Sequence, residues 1–213
     1  MDLHTYLIET PVASVILAIT VITSVMAFYN ENLISNLILQ PYSVARKERV
    51  YTIITSGLIH GDWMHLFFNA FSYYFFAFTL ERVMGHWQFG LLYIASLILS
   101  DLPTIYKHKD DYQYRCLGAS GAVSAVIFGY ILYNPASTII ILPIPFPIPV
   151  IVFGPLYLIY CHYASKYARD HVNHDAHLYG ALSGLIITII LRPTVVNDFI
   201  AGVNLVTQHY LHL

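Results

Sequence analysis

The chain has 213 residues, of which 57% are hydrophobic and only 10% charged, with a mean hydropathy of +0.62. Soluble domains carry about 25% charged residues, so this composition excludes an ordinary soluble fold and points to one integral membrane domain over residues 1–213. A net charge of −2 gives no basis for nucleic-acid binding, and the two cysteines, Cys116 and Cys161, make neither a disulfide framework nor a zinc site.

The first span is expected from about Val12 to Tyr29. The run before it is acidic rather than basic and the apolar stretch is long for a signal peptide core, so it reads as a retained helix. Residues 30–60 are polar and partly amphipathic, with an apolar patch LISNLILQP, which predicts a structured connection lying at the membrane interface. The second span starts at Asp62, a natural N-cap, and runs to Leu80, closed by Glu81 and Arg82. Trp87 opens a third span that ends before Asp101, and a polar connection fills residues 101–117.

The fourth span, Ser120 to Asn134, is short. Fifteen residues cover roughly 22 Å against a hydrocarbon core of roughly 30 Å. The helix therefore begins below the membrane surface, where irregular backbone is tolerated only beside a protein-walled or watery cavity. After Asn134-Pro135 the Pro-rich run LPIPFPIP predicts a rigid connection. A fifth span follows from about Val150 to Tyr163 and a sixth from about His174 to Leu191, leaving a mildly amphipathic tail, 193–213, with no assigned role.

Polar groups inside spans mark function by default. His65 and Asn69 lie one turn apart on the second span, Ser120 opens the fourth, and His177 lies near the start of the sixth. Those three spans run in the same direction, so all four groups fall at similar depth. Small residues recur every four positions on the fourth span (Gly121, Ala125, Gly129) and on the sixth (Ala176, Gly180, Gly184), a pattern that lets membrane helices approach closely. Packing stripe on stripe brings the Ser120 hydroxyl near the His177 imidazole, a nucleophile beside a general base.

Each element has a structural alternative. Ser120 is also a plain helix cap. Glycine stripes occur in many bundles, and His65 and Asn69 can serve neighbouring helices. His60 reads as a brace for the first connection, and His171 and His174 as solvated loop histidines. Asp175, two residues from His177, points to another face and is not a third catalytic member. His174 and His177 have i, i+3 spacing, but no H-E-x-x-H occurs and no carboxylate lies in an expected span to complete a metal site.

The run His60-Gly-Asp-Trp-Met-His65-Leu-Phe-Phe-Asn69, then Gly118-Ala-Ser120-Gly121, then Ala176-His177 with Gly180 and Gly184, resembles the rhomboid intramembrane serine proteases over roughly Tyr51 to Arg192. The resemblance implies an all-α bundle of six transmembrane helices, with a core of about 12–192. It implies Ser120 as nucleophile and His177 as general base without an acidic partner. It assigns the oxyanion hole to His65, Asn69 and the Ser120 N–H, gives His60, Gly118 and Gly121 supporting roles, and makes Glu81 structural. Substrates would be transmembrane segments of other proteins in a cell membrane, of the bacterial inner-membrane kind, with no metal and no cofactor.

The runner-up is a silent relative that binds such segments without cutting them, and a small transporter comes third. The chain departs from the family pattern in two places. Tyr51-Thr52 stand where a Trp-Arg pair is common, and Ser124 stands where an aromatic packs on the catalytic histidine. A ring at 124 is accordingly expected to fix His177. The family places the site outside the cell, yet Arg46, Lys47, Arg49, Lys107, Lys109, Arg115, Lys166 and Arg169 all flank the site side, leaving Arg82 and Arg192 for the other. The positive-inside rule argues the reverse orientation; the external site is the expectation carried forward.

Overall fold

A computed structural model describes residues 3–141, 146–170 and 172–211. Helix α1 (Leu3–Glu9) leads into α2 (Pro11–Phe28), where Pro11 takes a first-turn position that needs no N–H. The next N–H groups, at Val12 and Ala13, donate to the Glu81 carboxylate at 3.1 and 2.6 Å. The connection from Asn30 is structured, as expected: α3 (Glu31–Leu37), α4 (Pro41–Ala45), α5 (Thr52–Thr55) and a 3-10 turn (Ser56–Leu58).

Helix α6 (Trp63–Met84) begins at the Asp62 cap, whose carboxylate accepts from His65 N–H at 2.8 Å. It continues a turn past the expected Leu80. Glu81 is fully buried, held by α2 and by the His86 ring at 2.7 Å, so it belongs inside the helix and not after it. Gly85, at φ +101°, then reverses the chain in a backbone state other residues avoid.

Helix α7 (His86–Lys107) corrects the expected end before Asp101. It carries Asp101 and Pro103 inside the helix because its last turn is fixed from outside: Thr104 bonds Asn173 and Lys107 pairs with Asp175 at 2.8 Å. A proline weakens a helix locally, but tertiary contacts of this kind override it.

Helix α8 (Ser120–Tyr133) starts and stops where expected. The Pro-rich return closes in a short antiparallel pair, β1 (Thr138–Ile139) with β2 (Ile148–Pro149). Residues 142–145 of that run lie outside the described residues, as does His171. Helix α9 (Val150–Tyr167) runs a turn beyond the expected Tyr163, and α10 (His174–Leu191) matches its expected bounds. The tail forms α11 (Val195–Leu211), which packs on the end of α8 where Gly202 meets the Pro135 ring.

Three described helices are long and apolar enough to cross a membrane: Pro11–Phe28, His86–Lys107 and His174–Leu191. The core gathers around Leu80, Phe89, Leu92 and Val126, all buried. Large apolar side chains such as Ile22, Phe75, Leu91 and Ile190 are instead exposed on the outside of the bundle. Such a surface is costly in water and favourable against hydrocarbon.

The Glu81 cap gives a first prediction. Glu81→Gln removes charge-assisted bonds to two N–H groups and to His86 inside a dry site, and should lower stability by about 2–4 kcal/mol. Thermal unfolding in detergent, followed by circular dichroism, checks this.

Candidate active site

The turn before α8 is pinned from two sides. Leu39 and Cys116 exchange backbone hydrogen bonds at 3.1 and 3.0 Å, and Gly118 N–H donates to Ser56 C=O at 2.9 Å. Gly118 has φ +112°, and a Cβ there would lie 2.7 Å from His65 Nε2, so glycine is needed on both counts. Burial pushes the Cys116 thiol well above its usual range, which keeps it protonated and unreactive.

Ser120 is the first residue of α8, half-buried, and its hydroxyl has no hydrogen-bond partner among the described residues. The first N–H of this region taken up by an upstream carbonyl is that of Val123, which bonds Ala119. The N–H groups of Ser120, Gly121 and Ala122 are therefore left over, at the positive end of the helix dipole.

The two small-residue stripes meet. Helix α8 packs most extensively against α10. A Cβ on Gly180 would lie 2.7 Å from the Gly121 carbonyl carbon, and one on Gly184 would lie 2.8 Å from that of Ala125. One on Gly121 would lie 3.2 Å from the Ala176 carbonyl oxygen, and one on Gly129 3.0 Å from Thr188 Oγ1. Backbone thus lies on backbone along the seam. The contact of Gly121 with Ala176 brings the first turns of α8 and α10 together, and Ser120 and His177 are the next residues along the chain from it.

His65 and Asn69 approach from α6. Gly61 N–H donates weakly to His65 Nδ1 at 3.5 Å, which favours the tautomer with the ring proton on Nε2, and the Cε1–Nε2 edge of the ring faces Gly118. Asn69 is buried, gives one amide N–H to the His65 carbonyl at 3.0 Å, and keeps the other. Its side-chain oxygen has no partner among the described residues, and Asn69 lines a void of about 10 Å³ with Thr20, Tyr73, Tyr93 and Ala119.

His60 stands behind His65, fully buried, the two rings perpendicular at 4.9 Å. Its Nδ1 lies 2.9 Å from Ser24 Oγ, whose hydroxyl donates to Leu58 C=O, so the ring ties α2 to the first connection. Burial first, and the nearby His65 second, lower the His60 pKa to about 3. The ring is neutral at physiological pH.

His174 is where the sequence reading fails. It is not a solvated loop histidine: it opens α10, is 5% exposed, and its Nε2 lies 3.2 Å from both carboxylate oxygens of Asp170. Its ring stands perpendicular to that of His177, centroids 6.0 Å apart. The signal available in the sequence was the Asp170–His174 spacing of four across the start of a helix. Asp175 points away and pairs with Lys107.

Ser124 is the other correction. It is buried and its hydroxyl shares a 2.8 Å hydrogen bond with the Tyr157 hydroxyl of α9. A ring at 124 would have to displace this buried contact with Tyr157. Ser124→Phe should overpack the α8–α9 contact and cost about 1–3 kcal/mol rather than raise activity. A lower melting temperature in detergent is the expected reading.

Comparison with known proteins decides the family. The family model described as "Rhomboid domain" matches residues 47–194, which covers every site residue above. The chain belongs to the rhomboid family. It is 37% identical over 83 residues to a Bacillus subtilis (strain 168) protein named "Putative rhomboid protease YdcA", covering 39% of this chain and 40% of that one. It is 24% identical over 168 residues to "RHOMBOID-like protein 12, mitochondrial" of Arabidopsis thaliana, covering 72% of this chain and 50% of that one. The matched stretches span half or less of these curated relatives' own lengths. This rhomboid is an integral membrane protein, by family and by its apolar helices.

Proposed function

We propose that this rhomboid is an intramembrane serine endopeptidase that cuts transmembrane segments of other membrane proteins. The observation that supports the reading is the seam: α8 and α10 pack backbone on backbone along glycine, and Ser120 and His177 lie in their first turns, next to the Gly121–Ala176 contact. In this reading α2, α6, α7, α8, α9 and α10 are six spans of one domain. The 14-residue α8 starts below the surface, in front of a cavity that water reaches.

His177 takes the proton from Ser120 as the hydroxyl attacks the scissile carbonyl. The negative oxygen is received by the Ser120 N–H, the His65 Nε2–H and the free amide N–H of Asn69. His177 then protonates the leaving amine, and water hydrolyses the acyl-enzyme. Donors placed where the charge develops stabilise the transition state by about 3 kcal/mol each in soluble proteases. No acid completes the dyad, and His60, Gly118 and Gly121 hold its surroundings in shape.

A fluorophosphonate probe applied to membranes should label Ser120, and an unlabelled wild type would favour a silent relative that only binds. Asn69→Ala should lower kcat by about 10²-fold with KM little changed, since its contact forms fully only with the oxyanion. A rise in KM at constant kcat would instead assign Asn69 to ground-state binding.

A further inference from the structure

Asp170, His174 and His177 stand in a file across the first turn of α10. The Asp170 carboxylate lies on His174 Nε2, so that nitrogen carries the ring proton, and in the neutral ring Nδ1 then presents a bare lone pair. The Val172 N–H at 3.1 Å, and then the His174 ring, hold Asp170's carboxyl below the usual carboxylate range, so it stays an acceptor. His174 Nδ1 is buried and has no partner among the described residues. A buried acceptor without a donor is costly, and one beside a reactive group calls for a donor in another state of the site.

His177 is the group that changes state. It is neutral at rest and gains a second N–H when it takes the serine proton. We propose that His174, oriented by Asp170, is the positioning residue that accepts from His177 and favours its charged form, in the place left empty by the missing acid. The inference rests on the protease reading above. The proton stays on His177 throughout and returns to the leaving amine, and Asp170 never becomes protonated. One bridging water or a small ring rotation closes the 6.0 Å between ring centroids.

The surroundings favour this assignment. Tyr160 of α9 packs its ring perpendicular to His174 at 5.5 Å, which leaves His174 little freedom to turn away. Asn173 bonds Thr104 and Asp175 pairs with Lys107, which fix the turn against α7. The other titratable groups that bear on His177 are His65 of α6 and Asp170 itself. Asp175, the only other carboxylate on this turn, is engaged by Lys107.

The test measures fluorophosphonate labelling of Ser120 and cleavage of a model transmembrane substrate across pH. His174→Ala should lower kcat and the labelling rate roughly 10- to 100-fold at unchanged KM. That is short of the about 10⁴-fold loss on changing a directly bonded triad acid. Without the acceptor the charged form of His177 is less favourable, so the acidic limb of the pH profile should move to lower pH. His174→Gln, which keeps a side-chain acceptor, should recover most of the rate. Asp170→Asn, at a half-exposed loop position that leaves the core alone, should shift the profile the same way by less. A wild-type rate and profile in His174→Ala, or in Asp170→Asn if the alanine variant does not fold, overturns the assignment alone. No labelling of the wild type overturns the protease reading and the assignment with it.

Discussion

Ser120→Ala is expected to abolish cleavage and probe labelling while leaving the fold intact. Removing the nucleophile of a soluble serine protease costs about 10⁶-fold in kcat, which here would fall below detection. The same change should alter stability by less than about 0.5 kcal/mol, because the hydroxyl has no hydrogen bond among the described residues to lose and the site is only half-buried. Cleavage of a transmembrane substrate before and after the substitution, with melting curves alongside, reads both. Undiminished cleavage by a folded Ser120→Ala protein would sink the mechanism.

The second large effect is on the seam. Gly180→Ala adds one methyl group, yet that carbon would lie 2.7 and 2.9 Å from the carbonyl carbon and Cα of Gly121. Backbone cannot swing aside as a side chain can, so α8 and α10 must part along their whole contact. A cost of about 3 kcal/mol or more is expected, with activity lost even where the protein still inserts. Gly154→Ala on α9 is the control. Its new carbon would meet Ile131 and Phe128 only at 3.7 Å, an ordinary contact, and alanine suits a helix better by about 1 kcal/mol. Equal melting temperatures for the two variants would show that the seam is not where the glycines place it.

Local chemistry made part of this fold legible in the sequence. Asp62 announced α6, Ser120 and Asn134 bounded α8, and the four-residue repeat of small side chains foretold which helices touch. What escaped was set by contacts distant along the chain. Nothing near Pro103 says that α7 continues through it, because the stabilising partners are Asn173 and Asp175. His174 looked like a loop residue because its burial comes from Tyr160 and Asp170 closing over the helix start. Ser124 looked like a missing ring because its partner, the Tyr157 hydroxyl, lies 33 positions away. The candidate site was legible as a set of residue types near the starts of three helices. Its tautomers and spare donors were not, since they depend on which atom each neighbour has already taken.

The carboxylate that closes the N-terminus of α2 lies 68 and 69 residues downstream of the N–H groups it receives. During synthesis the leading turn of α2 therefore lacks this acceptor until the far end of α6 has been made. Arrival of Glu81 fixes that end and, through Gly85 and His86, the start of α7 in the same event. One buried acid thus joins α2, α6 and the start of α7 through three hydrogen bonds, all to residues that precede the α8–α10 seam in the chain.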